Sequence, residues 1–403
     1  MKTFKSRHLS KLLRITFIAI LPAAYYLKLG IPANSIFTNF TFWMFCLGYF
    51  LCISQMLLTS KSICVYKIDK FFFVFAIYVL VCTLWSPFFI EGLKKATEFM
   101  LITLPIVYFV RFFVRDETEI ERVMQISLFI ALVLVLYTLV SFVSSGKMLG
   151  RVTLMMISPV AMGLYCALHA YTGIYFFLKE KNNTLRIYYL FASIIFLLGL
   201  VLNGSRASIL GLLLLLIWLF LRKLNKRSVL LLIGLLFFLM GSVFIVNKFI
   251  PIWDYFTYRI CVTATSRDAA GQERIILYKK SINSIYKNPL WGEGTGSNLS
   301  GYSHNIFLEI ASENGLIGLI FPFIILFLMY DVIRKIKKLR IYDLIVGNFS
   351  ICSFVSLFSF SYSFNRYLFF FMGLIWAAYH FRITGMVSDK ILNKNHLHLT
   401  KLP

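Results

Sequence analysis

The stretch Leu190–Leu221, LFASIIFLLGLVLNGSRASILGLLLLLIWLFL, holds a single charged residue, Arg206. No polar face recurs at the helical period on either side of it, so neither half reads as a surface helix of a soluble domain. The turn NGSRAS separates two apolar runs, each of which reaches the length of a membrane-crossing helix once its flanks are added. The segment therefore reads as two spans joined by a few residues, with an arginine at the connection. A guanidinium well inside a bilayer costs roughly 2.5 to 3.5 kcal/mol, so Arg206 needs a partner. A bound anion, a cluster of carbonyls, or a side chain stretched toward the headgroups would each serve.

The rest of the chain agrees with this reading. Its 403 residues are 59% hydrophobic and 14% charged, with a mean hydropathy of +0.79, whereas soluble domains carry about 25% charged residues. Apolar segments recur from residue 15 to residue 383, and twelve spans are expected, centred near Ala19, Phe50, Ile77, Leu104, Val133, Leu168, Ile195, Leu214, Phe238, Leu319, Cys352 and Gly373. The expected fold is all-α and polytopic, a single integral membrane domain over residues 1–403. The basic start MKTFKSRHLSKLLR leads into the first span, and Tyr25 and Tyr26 directly after Ala23 and Ala24 argue against a cleaved signal peptide. The seven cysteines show no CxxC or Cys/His spacing, so neither a metal site nor a disulfide framework is indicated.

Orientation follows from the basic residues. Of the 41 lysines and arginines, 27 fall in connections on the side of the N-terminus, which places both termini in the cytoplasm. Anionic lipid on that side accounts for most of the net charge of +24, and no nucleic acid is required. Of the 14 outward exceptions, seven belong to one long loop, residues 251–303 and its edge: Lys248, Arg259, Arg267, Arg274, Lys279, Lys280 and Lys287. Within it GQERIILYKKSINSIYKN predicts an amphipathic helix over about 271–287. The following NPLWGEGTGSN predicts an irregular, close-packed turn. The chain then returns through SHNIFLEIASENGLIG, with His304 at its head and Glu309 and Glu313 expected to cap the helix start. Outward turns also carry Lys147, Arg151 and Arg366, which could add anion contacts by virtue of their side.

No Asp or Glu is expected near the middle of a span, which disfavours a proton-coupled transporter. No outward loop offers a DxD or ExD pair for Mg or Mn, so phosphate chemistry here would lean on arginine. A glycolipid flippase with an arginine vestibule, or a structural subunit with a basic docking loop, are the competing classes. The flippase would need a continuous polar path through spans that are strongly apolar.

Taken in order, the GSRAS turn with Arg206, GQERIILYKKSINSIYKNPLWGEG with Arg274, and SHNIFLEIASENGLIG with His304 resemble the O-antigen ligase and O-antigen polymerase superfamily of bacterial polysaccharide assembly. CTLWSPFFIEGLKKA near Trp85 and GRVTLMM with Arg151 resemble it less specifically. The resemblance covers the topology of most of the chain. It implies a bundle of the GT-C type in the bacterial inner membrane and a metal-independent glycosyltransferase without cofactor. The donor would be a glycan on undecaprenyl diphosphate, and the acceptor a sugar hydroxyl at the periplasmic face, on a second lipid-linked repeat or on lipid A core. Membrane lipid and a chain-length regulator would be further partners. Carried to matching positions, Arg206 and Arg274 would hold the diphosphate, with Lys279, Lys280 and Arg151 adding positive charge, and His304 would act on the acceptor hydroxyl. Only 30 residues separate Arg274 from His304, a short interval for a loop that must also admit a bulky core acceptor, which favours polymerase over ligase.

Overall fold

The computed structural model describes residues 2–22, 40–59, 65–144, 158–222, 269–298 and 303–399, together with Gly234 and Gly241. All regular structure among them is helical. In chain order the elements are α1 (Lys2–Ile20), α2 (Phe40–Thr59), α3 (Lys67–Val81), a 3-10 turn (Cys82–Trp85), α4 (Phe89–Glu98), a π turn (Phe99–Thr103), α5 (Pro105–Phe113), α6 (Glu117–Ser144), α7 (Pro159–Lys179), α8 (Asn183–Asn203), α9 (Arg206–Arg222), α10 (Ala269–Lys287), α11 (Ile306–Lys335), α12 (Tyr342–Ser356) and α13 (Arg366–Leu399). The expected span near Phe238, the outward residues Lys147 and Arg151, and Lys248, Arg259 and Arg267 of the long loop lie outside the described residues.

Among the described residues, six segments are long and apolar enough to cross a membrane: Lys67–Trp85, Phe89–Phe113, Glu117–Ser141, Pro159–Lys179, Asn183–Asn203 and Ile306–Lys335. α7 is the innermost, with 83% of its apolar window buried inside the protein. Ala161, Gly163, Ala167, Ala170 and Gly173 line it, and small residues let neighbouring helices approach closely where lipid supplies no hydrophobic drive. α8 returns beside it after the Asn182 side chain caps its first turn. At the end of α8, Gly204 takes φ +66, the left-handed conformation that closes a helix. Ser205 and Ser208 share a 2.9 Å hydrogen bond at the start of α9.

Two helices are interrupted for identifiable reasons. Pro105 has no N–H for the carbonyl of Leu101, so the ladder slips to the π pattern with Leu104 N bonding Phe99 O at 2.9 Å. The Tyr49 hydroxyl donates to the abandoned Leu101 carbonyl at 2.9 Å. α11 breaks at Gly315 (φ 68, ψ −172) and also carries Pro322. Its first portion, Ile306–Asn314, is thus a separate half-helix. α12, with 15 residues, extends only about 22 Å, short of a bilayer core of about 30 Å. The chain after it, 357–365, stays largely within the protein before α13 begins. The segment Phe89–Phe113 also corrects the expectation that carboxylates avoid span interiors. Glu98 lies within it and pairs with Arg366 at 3.3 Å.

Candidate active site at the head of the broken helix

α10 ends at Asn288–Pro289 and the turn after it packs into the break in α11. Leu316 N donates to Pro289 O at 2.9 Å, Glu293 N to Ser312 O at 2.9 Å, and Gly294 N to Glu313 O at 2.9 Å. The carbonyls and amides orphaned at Gly315 are thereby satisfied by the turn. The fit needs glycine on both sides. A Cβ on Gly315 would lie 2.1 Å from Leu290 O, and one on Gly292 would lie 2.4 Å from the Glu313 carbonyl carbon.

This junction sets α10 and the half-helix Ile306–Asn314 side by side and parallel, with their C-terminal ends together. From Lys287 back to Arg274 the helix rises about 20 Å, and from Gly315 back to His304 the chain rises about 16 Å. Leu277, Ser281 and Ser284 are the buried face of α10. Arg274 stands three, seven and ten residues before them, on the same face. Arg274 and His304 consequently come level, and the guanidinium acts electrostatically on the imidazole. Burial is the larger cause that pushes His304 below the usual histidine range, Arg274 adds to it, and Glu273 opposes it. His304 is then neutral at pH 7.

The backbone around His304 is held at both neighbours. His304 takes φ 51, a left-handed conformation that costs a non-glycine residue roughly 1 to 2 kcal/mol. Buried Ser303 donates to Asn305 O at 3.2 Å. Asn305 caps the half-helix, its Oδ1 accepting from Phe307 N and Leu308 N at 3.0 Å each. Its Nδ2 donates to Leu357 O at 2.9 Å.

Arg206 reaches the same end by another route. α9 runs antiparallel to α12: Arg222 Nη1 meets Asp343 Oδ1 at 2.9 Å, and Gly211 faces Phe354. One further turn brings Arg206, exposed at the head of α9, to the level of Leu357, whose carbonyl tethers Asn305. The structure thus groups Arg274 with His304 and sets Arg206 at their end of the bundle. Lys279 and Lys280 are exposed. Five and six residues from Arg274 turn them about 120° to 140° away from its face, so the structure does not bring them to His304. Arg366 is buried, pairing with Glu98 and donating to Thr41 Oγ1 at 3.4 Å, which corrects its reading as an anion contact.

Glu309 and Glu313 are not caps. Both are buried, and Lys95 Nζ lies 2.5 Å from Glu309 Oε1 and 2.7 Å from Glu313 Oε1. Their other oxygens face Tyr362: its backbone N donates to Glu309 Oε2 at 3.3 Å and its hydroxyl to Glu313 Oε2 at 3.2 Å. Sequence reasoning missed Lys95 and Tyr362. A signal was present, because two carboxylates one turn apart in an apolar segment require a cation.

A cavity of about 260 Å³ opens beside this end, lined among others by Ile306, Phe307, Ile310, Leu357, Tyr362 and Phe369. It is almost wholly apolar and begins two residues from His304. Among the described residues no group of three His, Cys, Asp or Glu side chains is placed to hold a metal ion.

Residues 191–323 match the model of the Wzy_C family, O-antigen ligase. Over this third of the chain the protein is similar to that family. The matched third of the chain contains Arg206, Arg274 and His304, while Lys95 and Tyr362 lie outside it. No curated protein matches the chain.

Proposed function

We propose that the protein is a metal-independent glycosyltransferase of about twelve spans and GT-C type in a bacterial inner membrane. It has both termini in the cytoplasm and His304 at the periplasmic face. It moves a glycan from undecaprenyl diphosphate to an acceptor sugar hydroxyl. The observation that carries this reading is the pairing of Arg274 with a neutral, conformationally strained His304 beside an apolar cavity, within the region that matches O-antigen ligase.

In this mechanism His304 accepts the proton of the acceptor hydroxyl as its oxygen bonds to the anomeric carbon. The bond from that carbon to the diphosphate breaks, and its electron pair leaves on the phosphate oxygen. Arg274 and Arg206 neutralise the growing charge, bidentate donors being suited to phosphate. Lys279 and Lys280 contribute to the field from a distance, and Arg151 is a further diphosphate contact in the proposal. The cavity is smaller than the roughly 300 to 1,000 Å³ of a drug-sized site, and it receives a stretch of the isoprenoid chain.

The acceptor is a second lipid-linked repeat, making the enzyme an O-antigen polymerase. The short interval of 30 residues from Arg274 to His304 supports this over transfer to lipid A core. His304→Ala, Arg206→Ala and Arg274→Ala each abolish long-chain polysaccharide with expression intact, and transfer continues in EDTA. Full-length glycan in all three variants overturns the enzyme reading. In a deletion strain, lipopolysaccharide with a single-repeat cap indicates a missing polymerase, and uncapped core a missing ligase.

A further inference from the structure

Lys95 lies 214 residues before Glu309 and outside the matched region, yet it grips the half-helix that carries His304. α4 presents two features on one face. Gly92 lets the turn after α10 pass so closely that a Cβ there would lie 2.3 Å from Thr295 O. Three residues on, Lys95 reaches both carboxylates of the half-helix. Thr295 is itself fixed from two directions, its N donating to Cys82 O at 3.2 Å and its Oγ1 to Val79 O at 2.8 Å. α4 therefore touches both members of the pair, the turn that follows α10 and the half-helix that begins after His304.

Every carboxylate oxygen in this cluster has a partner: Lys95 for one oxygen of each glutamate, Tyr362 for the other. The ammonium also sits 4.8 Å from the centre of the Tyr362 ring. A buried ionic network whose donors and acceptors are all matched has one geometry in which it is satisfied, and a mismatch leaves a buried charge uncompensated. Such a network fixes both the rotation of the half-helix and its depth. Glu309 stands five residues from His304, so both are passed directly to the imidazole.

We propose that Lys95 is a positioning residue for glycan transfer, its ammonium clamping Glu309 and Glu313 so that the half-helix holds His304 opposite Arg274. The proposal rests on the functional reading above, in that transfer is the activity it serves. Misplacing a reacting group by about 1 Å costs on the order of 100-fold in rate, so loss of the clamp lowers turnover while leaving the donor's own contacts in place.

The test uses full-length protein in lipid nanodiscs. Lys95→Met, Lys95→Arg, the uncharged triple variant Lys95→Met/Glu309→Gln/Glu313→Gln, and His304→Ala are compared. Turnover and donor KM are measured on the monodisperse fraction. The pH dependence of His304 modification by diethyl pyrocarbonate is followed by mass spectrometry, which requires no activity. The expected result is a kcat for Lys95→Met reduced about 10- to 100-fold with donor KM little changed, and substantial rescue by Lys95→Arg. The modification midpoint of His304 moves up as it leaves Arg274. The triple variant, free of unpaired buried charge, folds and stays slow. Unchanged turnover and an unchanged His304 midpoint in Lys95→Met, or in the triple variant where Lys95→Met does not fold, overturn the proposal. Activity retained by His304→Ala sinks the functional reading instead, and the modification midpoint then decides the clamp by itself.

Discussion

Asn305 offers the most direct measure of how firmly the half-helix Ile306–Asn314 is set. Its side chain performs two separable tasks, capping through Oδ1 to Phe307 N and Leu308 N and tethering through Nδ2 to Leu357 O. Replacement of an asparagine cap by alanine costs about 1 kcal/mol, and the tether contributes about 1 kcal/mol more. Asn305→Ala therefore weakens the start of the half-helix by about 2 kcal/mol, which is roughly a 30-fold rise in local opening. Asn305→Ser keeps a capping oxygen and loses only the tether, so it costs about 1 kcal/mol, or roughly 5-fold. Hydrogen–deuterium exchange on the peptide spanning 305–314, in nanodiscs, reads both values. Exchange should order as wild type, serine, alanine, with the largest change at Phe307 and Leu308. Equal exchange in the serine and alanine variants would refute the cap, and wild-type exchange in serine would refute the tether. Either result would remove the reason for His304 to remain at φ 51, because both contacts act on the residue that follows it.

Two further perturbations address the same region. Gly315→Ala introduces a Cβ 2.1 Å from Leu290 O at a backbone conformation that is essentially restricted to glycine. That strain costs roughly 1 to 3 kcal/mol before the clash, so the variant should show a lower unfolding midpoint and a smaller monodisperse fraction in detergent; an unchanged midpoint would contradict the packed junction. For pH, a neutral His304 is the active form, and its pKa is lowered by burial first and Arg274 second. The acid limb of kcat/KM should therefore lie below the ordinary histidine value of about 6.5. Glu273 opposes that lowering, so Glu273→Gln should move the limb further down. A limb that stays in place or moves up in Glu273→Gln would exclude His304 as the titrating base.

Six of the twelve expected spans, those near Ile77, Leu104, Val133, Leu168, Ile195 and Leu319, were legible because lipid leaves little choice. Backbone groups in the bilayer core must bond within the helix and the side chains must be apolar, so runs such as Leu190–Leu221 announce themselves. Arg206, Arg274 and His304 stood out as candidates for the converse reason: a charged or titratable group in apolar surroundings requires an explanation. The helix breaks were not legible. Gly315 is one of 22 glycines, and nothing local distinguishes the one at which α11 stops. Glu309 and Glu313 were misread because their cation lies more than 200 residues away in sequence, and a cap was the nearest local role available. Lys279 and Lys280 shared a loop with Arg274, but shared sequence is not a shared face, and helical rotation separates them.

The interruptions are not scattered through the bundle. The turn after Cys82, the turn after Pro289, the break at Gly315 and the segment 357–365 bond to one another: Thr295 N to Cys82 O, Leu316 N to Pro289 O, and Tyr362 N to Glu309. In apolar surroundings each exposed backbone group would cost several kcal/mol, so irregular segments survive there only by satisfying each other. Mutual satisfaction gathers them in one place and makes that place polar inside. It is also where a histidine can be held in a strained conformation, since several independent contacts fix its neighbours. The same physics that penalises broken helices in lipid thus concentrates them around His304. A substitution in any one interruption should be felt at the imidazole through the others.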